Sequence, residues 1–193
     1  LLIVRGEVTE ALRDLSIGLE RTGTLWRVLG DLPRAEAAFS ESLALRRRLL
    51  PPGNERPEPL RDLAVALEKV GDLRRELGDL SGAEAALSES LALCRRLLAV
   101  RGDVPEALHD LAVSLRLVGE LRITLGRSSD AESALEEALA LCRRLVALRG
   151  EVPQTLRDVS VCLDRLGGLR EATGDLAGAE LALSESLVLS RRL

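Results

Sequence analysis

Apolar residues recur along this chain in steps of three and four, the spacing that lines one face of an α-helix. In one segment they fall at Leu60, Leu63, Leu67, Val70, Leu73 and Leu77, and in the next at Ala83, Leu87, Leu91, Cys94 and Leu98. The first set predicts a helix over about 57–77 and the second a helix over about 81–99. No segment alternates with the period of two that a half-buried strand shows, so no strands are expected. Gly78-Asp79 stands between the two helices, as Gly30-Asp31 and Gly174-Asp175 do elsewhere. The glycine suits a helix end and the aspartate is placed to cap the next helix.

The pattern repeats. Leu12-Arg13-Asp14-Leu15 returns as Leu60-Arg61-Asp62-Leu63, Leu108-His109-Asp110-Leu111 and Leu156-Arg157-Asp158-Val159, a period of 48 residues with no insertion or deletion. Gly23, Gly71, Gly119 and Gly167 keep this phase, as do Ala35, Ala83, Ala131 and Ala179. Each second helix is followed by Gly6, Asn54, Gly102 or Gly150, types that tolerate a left-handed backbone. Pro57, Pro105 and Pro153 come three residues later, where a helix start accepts proline; the first unit has Thr9 instead. The expected organisation is one solenoid over 1–193, with repeats at about 5–52, 53–100, 101–148 and 149–193 and residues 1–4 as the tail of a preceding helix.

The spacing inside each unit resembles the tetratricopeptide repeat. In the second unit the family's large residue, apolar residue and glycine of helix A fall on Leu67, Val70 and Gly71, and its second glycine on Gly78. Its small and bulky residues of helix B fall on Ala83 and Leu87, and its later small residue on Ser90. The first unit matches through Leu19, Gly23, Gly30, Ala35, Phe39 and Ser42, the third through Leu115, Gly119, Gly126, Ala131, Leu135 and Ala138, and the fourth through Leu163, Gly167, Gly174, Ala179, Leu183 and Ser186. Gly71 and Ala83 would let helices A and B approach closely, and Leu67 and Leu87 would fill the gaps. The period departs from the family's usual one of about 34 residues, and leucines replace its aromatic residues. The resemblance implies an all-α, right-handed α-solenoid of four tandem antiparallel helix pairs, in a long, bacterial-type variant of the repeat.

Composition narrows the function. The chain is 46% hydrophobic and 30% charged, with 1% aromatic residues, Trp26 and Phe39. Its core must therefore be leucine, valine and alanine, which suits closely packed helices. A net charge of −4 argues against nucleic acid, where basic patches supply most of the affinity. No apolar run reaches transmembrane length, so a membrane is not an expected partner. Cys94 and Cys142 lie one repeat apart on parallel helices, too far for a disulfide, and Cys162 lies on the other helix type. The expectation is a reduced, cytoplasmic setting, with an extracellular filament left open.

No catalytic set can be assembled. His109 is the sole histidine and occupies an arginine position of the repeat. There is no glycine-rich phosphate loop and no metal-spaced Cys/His set, so neither a cofactor nor a metal is expected and the chain is read as no enzyme. Asp14, Asp62, Asp110 and Asp158 recur beside the pairs Arg47-Arg48, Arg95-Arg96, Arg143-Arg144 and Arg191-Arg192, which suggests a ladder of ion pairs between helices. Glu36, Glu84, Glu132 and Glu180, and Glu41, Glu89, Glu137 and Glu185, recur as well and read as a solvated or salt-bridged face.

The resemblance also implies a concave surface lined by helix A. Its candidate partner-binding residues are Glu20, Thr24, Arg27, Glu68, Asp72, Arg75, Arg116, Glu120, Ile123, Asp164 and Glu171. A solenoid normally carries polar capping units, and none is visible. Leu1-Leu2-Ile3-Val4 matches the end of a helix B, and Leu193 is in phase with Leu1, so the segment reads either as a slice of a longer array or as a unit whose ends stack on neighbours. Leu12, Leu15 and Leu19 at one end and Leu183 and Leu187 at the other are the candidate stacking residues. Head-to-tail contacts that do not close generate open filaments. The expected function is a protein-interaction scaffold that stacks on copies of itself. The rival is an adaptor module of a larger protein that binds a peptide or protein in its groove.

Overall fold

The computed structural model describes residues 2–51, 53 and 55–193, with side chains from Val8 onward. Eight helices are formed among the described residues: α1 (Leu2–Val28), α2 (Leu32–Leu49), α3 (Pro57–Glu76), α4 (Leu80–Arg101), α5 (Pro105–Thr124), α6 (Ser128–Arg149), α7 (Pro153–Thr173) and α8 (Leu176–Ser190). No strand is present among those residues. The helices pair as tandem antiparallel hairpins, α1 with α2, α3 with α4, α5 with α6 and α7 with α8. They fall into two compact units, Leu1–Val100 and Arg101–Leu193.

The expected close approach of helices A and B is present in every hairpin. A Cβ added at Gly71 would lie 2.6 Å from Leu87 Cγ and 3.5 Å from the Ala83 carbonyl. Gly23 meets Phe39 in this way, Gly119 meets Leu135 and Gly167 meets Leu183. The missing side chain on helix A is thus the seat of the bulky one on helix B. Around that seat Leu60, Leu67, Ala83 and Leu87 are fully buried, which is the main stabilising contribution available to a core whose one buried aromatic is Phe39 among the described residues.

Local chemistry sets the helix ends. Gly174 takes φ +89 after α7, and Asp175 N–H donates to the Arg170 carbonyl, five residues back, at 2.9 Å. This is the left-handed helix stop that glycine favours. The Asp175 carboxylate then accepts from Gly178 N–H at 3.0 Å and caps α8. Asp79 and Asp31 cap their helices in the same way. Pro57, Pro105 and Pro153 open their helices as the sequence implies.

Three local expectations need correction. The break expected at Gly6 is absent, because α1 runs unbroken from Leu2 to Val28. Thr9 explains this: the other units have proline there, which bars an upstream helical turn by steric clash. On α4 it is Leu97, 1% exposed, that reaches the core, while Leu98 is half-buried. Leu77 lies just past the end of α3 and stands 41% exposed. The left-handed residue expected at Asn54 lies outside the described residues; beside it Gly53 takes φ +79.

Candidate functional site

Among the helix A positions named as a groove, Arg27, Asp72 and Glu120 are tied into ion pairs between successive repeats. In the first unit Arg27 Nη2 lies 2.6 Å from Asp72 Oδ2 and also pairs with Glu76. Arg75 closes on Asp72 from the other side at 2.7 Å. These contacts fasten α1 to α3. Burial opposes ionisation of Asp72, but the hydrogen bonds from Arg75 and Arg27 outweigh it and hold the carboxyl below its ordinary value.

Glu20 lies inside its hairpin. It is buried, 3.2 Å from the equally buried Arg46, and it accepts from Ser42 Oγ. Its acidic side chain is needed inside because Arg46 is there: a buried charge requires a partner. Glu68, one repeat on, accepts from Ser90 Oγ at 3.2 Å. Thr24 is exposed and donates to the Glu20 carbonyl within its own helix.

In the second unit Glu120 accepts from Arg116 at 2.6 Å and from Arg165 at 3.0 Å, which fastens α5 to α7. Ile123, Asp164 and Glu171 stand exposed. Of the residues named as a groove, Thr24, Ile123, Asp164 and Glu171 are therefore the ones that face solvent most openly.

The ladder of recurring charges exists, with other partners than the sequence suggests. Arg13 pairs with Asp62 at 3.1 Å, and His109 Nε2 lies 3.6 Å from Asp158 Oδ2 in the corresponding place. His109 thus stands in for an arginine of the ladder. Among the described contacts the arginine pairs bind other acids than the recurring aspartates. Arg47 and Arg143 bind Glu89 and Glu185 at 2.6 and 2.8 Å, while Arg96, Arg144 and Arg192 bind Glu55, Asp103 and Glu151 in the preceding loops. Asp62 also binds Arg46, the residue just before the first arginine pair, at 2.8 Å.

Sequence reasoning missed two further features. The later small residue of helix B, read as a packing position, is a hydrogen-bond donor in three hairpins. Ser42, Ser90 and Ser186 bond the carbonyls of Ser16, Ala64 and Ser160 on helix A at 3.0–3.2 Å. Their recurrence as serine at a spacing of 48 was the available signal. The other is Cys142 on α6 and Cys162 on α7, whose Sγ atoms are 3.8 Å apart, both unoxidised. The repeat spacing relates Cys94 to Cys142 and gives no sign of this contact.

The two terminal helix faces are open. Leu15 is 48% exposed, whereas Leu63, its equivalent one repeat on, is 5% exposed. Leu12 and Leu19 are half-buried, where Leu60 and Leu67 are fully buried. On α8, Leu183 and Leu187 are 39% and 51% exposed, against 0% and 8% for Leu135 and Leu139. Val8 and Leu176 are exposed as well, and Leu181 and Val188 stand exposed at positions that face solvent in the other repeats too.

No protein-family model matches the chain, and no curated protein matches it. Solved structures do. BtubC (BKLC) from P. vanneervenii superposes with a TM-score of 0.73 at 19% identity, covering 92% of this chain and 64% of that one. A putative kinesin light chain with nearly identical TPR-like repeats, from Podosopora anserina, gives 0.54 at 14% identity over 94% of this chain and 97% of that one. The DHF58 filament gives 0.55 at 20% identity over 95% and 94%. The fold is that of TPR-like helical-repeat proteins. The chain spans about 64% of the length of BtubC.

Among the described residues no group of three or more His, Cys, Asp or Glu side chains could hold a metal ion, and no helix is long and apolar enough to cross a membrane.

Proposed function

We propose that this chain is a non-catalytic protein-interaction scaffold whose exposed faces on α1 and α8 stack head to tail, building a filament or extended array. The observation that carries the reading is the exposure of Leu15 and Leu187, whose equivalents Leu63 and Leu139 are buried inside their units. Each face repeats the chemistry of an internal junction. At the junctions within the units, helix B of one repeat packs on helix A of the next, α2 on α3 and α6 on α7. A copy placed beyond α8 would set its α1 in the position of a next helix A.

Charge supports the same arrangement. Arg13–Asp62 and His109–Asp158 join residues 49 apart, and Arg47–Glu89 and Arg143–Glu185 join residues 42 apart. Continued past α8, those spacings bring Arg157 to Asp14 of the next copy and Arg191 to its Glu41; all four residues are exposed. The ion pairs fix register; their individual contribution is at most about 1 kcal/mol. Removal of the leucine faces from water supplies the attraction, at roughly 25 cal/mol per Å². One solved protein of like fold, DHF58, is described as a filament.

The adaptor reading, in which a peptide lies along helix A, is favoured by the exposure of Ile123, Asp164 and Glu171. Negative-stain microscopy separates the two. Elongated polymers of the purified chain support stacking, and single particles that persist at high concentration support the adaptor.

A further inference from the structure

We propose that Cys142 and Cys162 form a peroxide-sensitive dithiol site that closes to a disulfide and fastens α6 to α7. Three observations converge on it. The two Sγ atoms are 3.8 Å apart across the junction between the helices, so modest side-chain rotation brings them to bonding distance. Beside them is a pocket of about 120 Å³, lined by both cysteines with His109, Ala112, Val113, Arg116, Arg157, Asp158 and Val161. It gives a molecule the size of hydrogen peroxide a place next to the sulfurs. Asp158 Oδ2, buried and 3.6 Å from His109 Nε2, puts a polar wall on the same pocket. This pairing of two cysteines is special to the junction: the positions equivalent to Cys142 hold Arg46, Cys94 and Ser190, and those equivalent to Cys162 hold Gly18, Ala66 and Ser114.

The surroundings divide the roles. A hydrogen bond from Cys142 lowers the pKa of Cys162 against the opposing effect of burial, and the Arg116 charge helps. The same hydrogen bond and burial push the Cys142 thiol up. The carboxylates of Asp158 and Glu120 oppose ionisation of Cys162 without reversing it. Either sulfur can donate to the other; with Cys142 as the donor, Cys162 attacks as the thiolate and Cys142 resolves.

The chemistry balances with hydrogen peroxide as the oxidant. The Cys162 thiolate attacks one peroxide oxygen and the O–O bond breaks. Cys162 becomes a sulfenic acid, and the departing hydroxide takes a proton to leave as water. The Cys142 sulfur then attacks the sulfenic sulfur; its proton and the sulfenic hydroxyl leave as a second water. Two thiols and one peroxide give one disulfide and two waters. A dithiol reductant reverses the bond by thiol–disulfide exchange.

The test is stepwise oxidation of the whole chain by hydrogen peroxide, with free thiols counted after unfolding and the bond mapped by peptide mass. The expected result is loss of two of the three thiols, a mass lower by two hydrogen atoms, and a linked Cys142–Cys162 peptide, with Cys94 still free and full recovery on reduction. Cys162 should react at least about tenfold faster than Cys94. In Cys142→Ser the reaction should stop at a Cys162 sulfenic acid that a 1,3-diketone probe traps, with unchanged circular dichroism. Equal reactivity of all three cysteines, a bond between two copies, or oxidation to sulfinic acids with no linked peptide would each overturn the proposal.

Discussion

Single residues decide how closely the hairpins pack. Gly71 and Gly18 both lie within helices, yet alanine should have opposite effects at the two. At Gly71 the new methyl would sit 2.6 Å from Leu87 Cγ, and overpacking of this kind costs about 1–3 kcal/mol. At Gly18 nothing lies within 4 Å, so the helix propensity of alanine should stabilise by about 0.5–1 kcal/mol. Urea denaturation of the two variants should move the midpoint down for Gly71→Ala and up for Gly18→Ala; a shift of the same sign in both would contradict this packing account. Asp72 gives a pH-dependent test. Its carboxyl is held below the ordinary range, so its contribution is fully present above the unfolded-state pKa of about 3.9. That contribution is lost as pH falls through the lower native value. Asp72→Asn should therefore be less stable than wild type at neutral pH, and the gap should shrink under acid. A gap that is constant with pH would mean that the Arg27 and Arg75 contacts contribute nothing through charge. Legibility at this scale was uneven. The glycine seat was readable because Gly71 and Leu87 keep a fixed spacing in every repeat. The partners of Glu20 and Cys142 were not, because a buried arginine at 46 and a cysteine at 162 break the repeat.

At the scale of elements the sequence was easiest to read, since each boundary carries its own chemistry. Gly174-Asp175 ends α7 and caps α8, and Pro153 opens α7. Asp175→Ala should lower stability by about 1 kcal/mol and shorten α8 from its first turn. Hydrogen exchange is the direct readout: amides at 177–179 should lose protection while those in α6 keep theirs, and unchanged protection would show that packing alone holds the helix start. α1 was misread because its punctuation is incomplete. Thr9 lacks the ring that stops the other helices, and Gly6 alone does not end a helix when the residues around it can continue one. Side-chain direction along a helix was the harder matter. Leu97 and Leu98 are both apolar neighbours, and only the packing of α4 decides which one the core takes.

For the molecule as a whole, repetition made the fold legible and left the partner unwritten. A period of 48 residues requires equivalent junctions, so buried leucines inside the units and exposed ones at α1 and α8 follow from one pattern. Further repeats of a longer chain or a second copy would each cover the exposed faces, and the periodicity fits both. The most direct test uses two variants that each block one face. Leu15→Glu disables the α1 face and Leu187→Glu the α8 face, and both positions are about half exposed, so neither change should disturb the folded hairpins. By sedimentation velocity, head-to-tail stacking predicts wild-type mass that grows with concentration, each variant alone as a monomer, and a one-to-one mixture that forms a dimer and stops there. Wild-type chain that stays monomeric at every concentration, or a mixture that behaves as two monomers, would contradict the account.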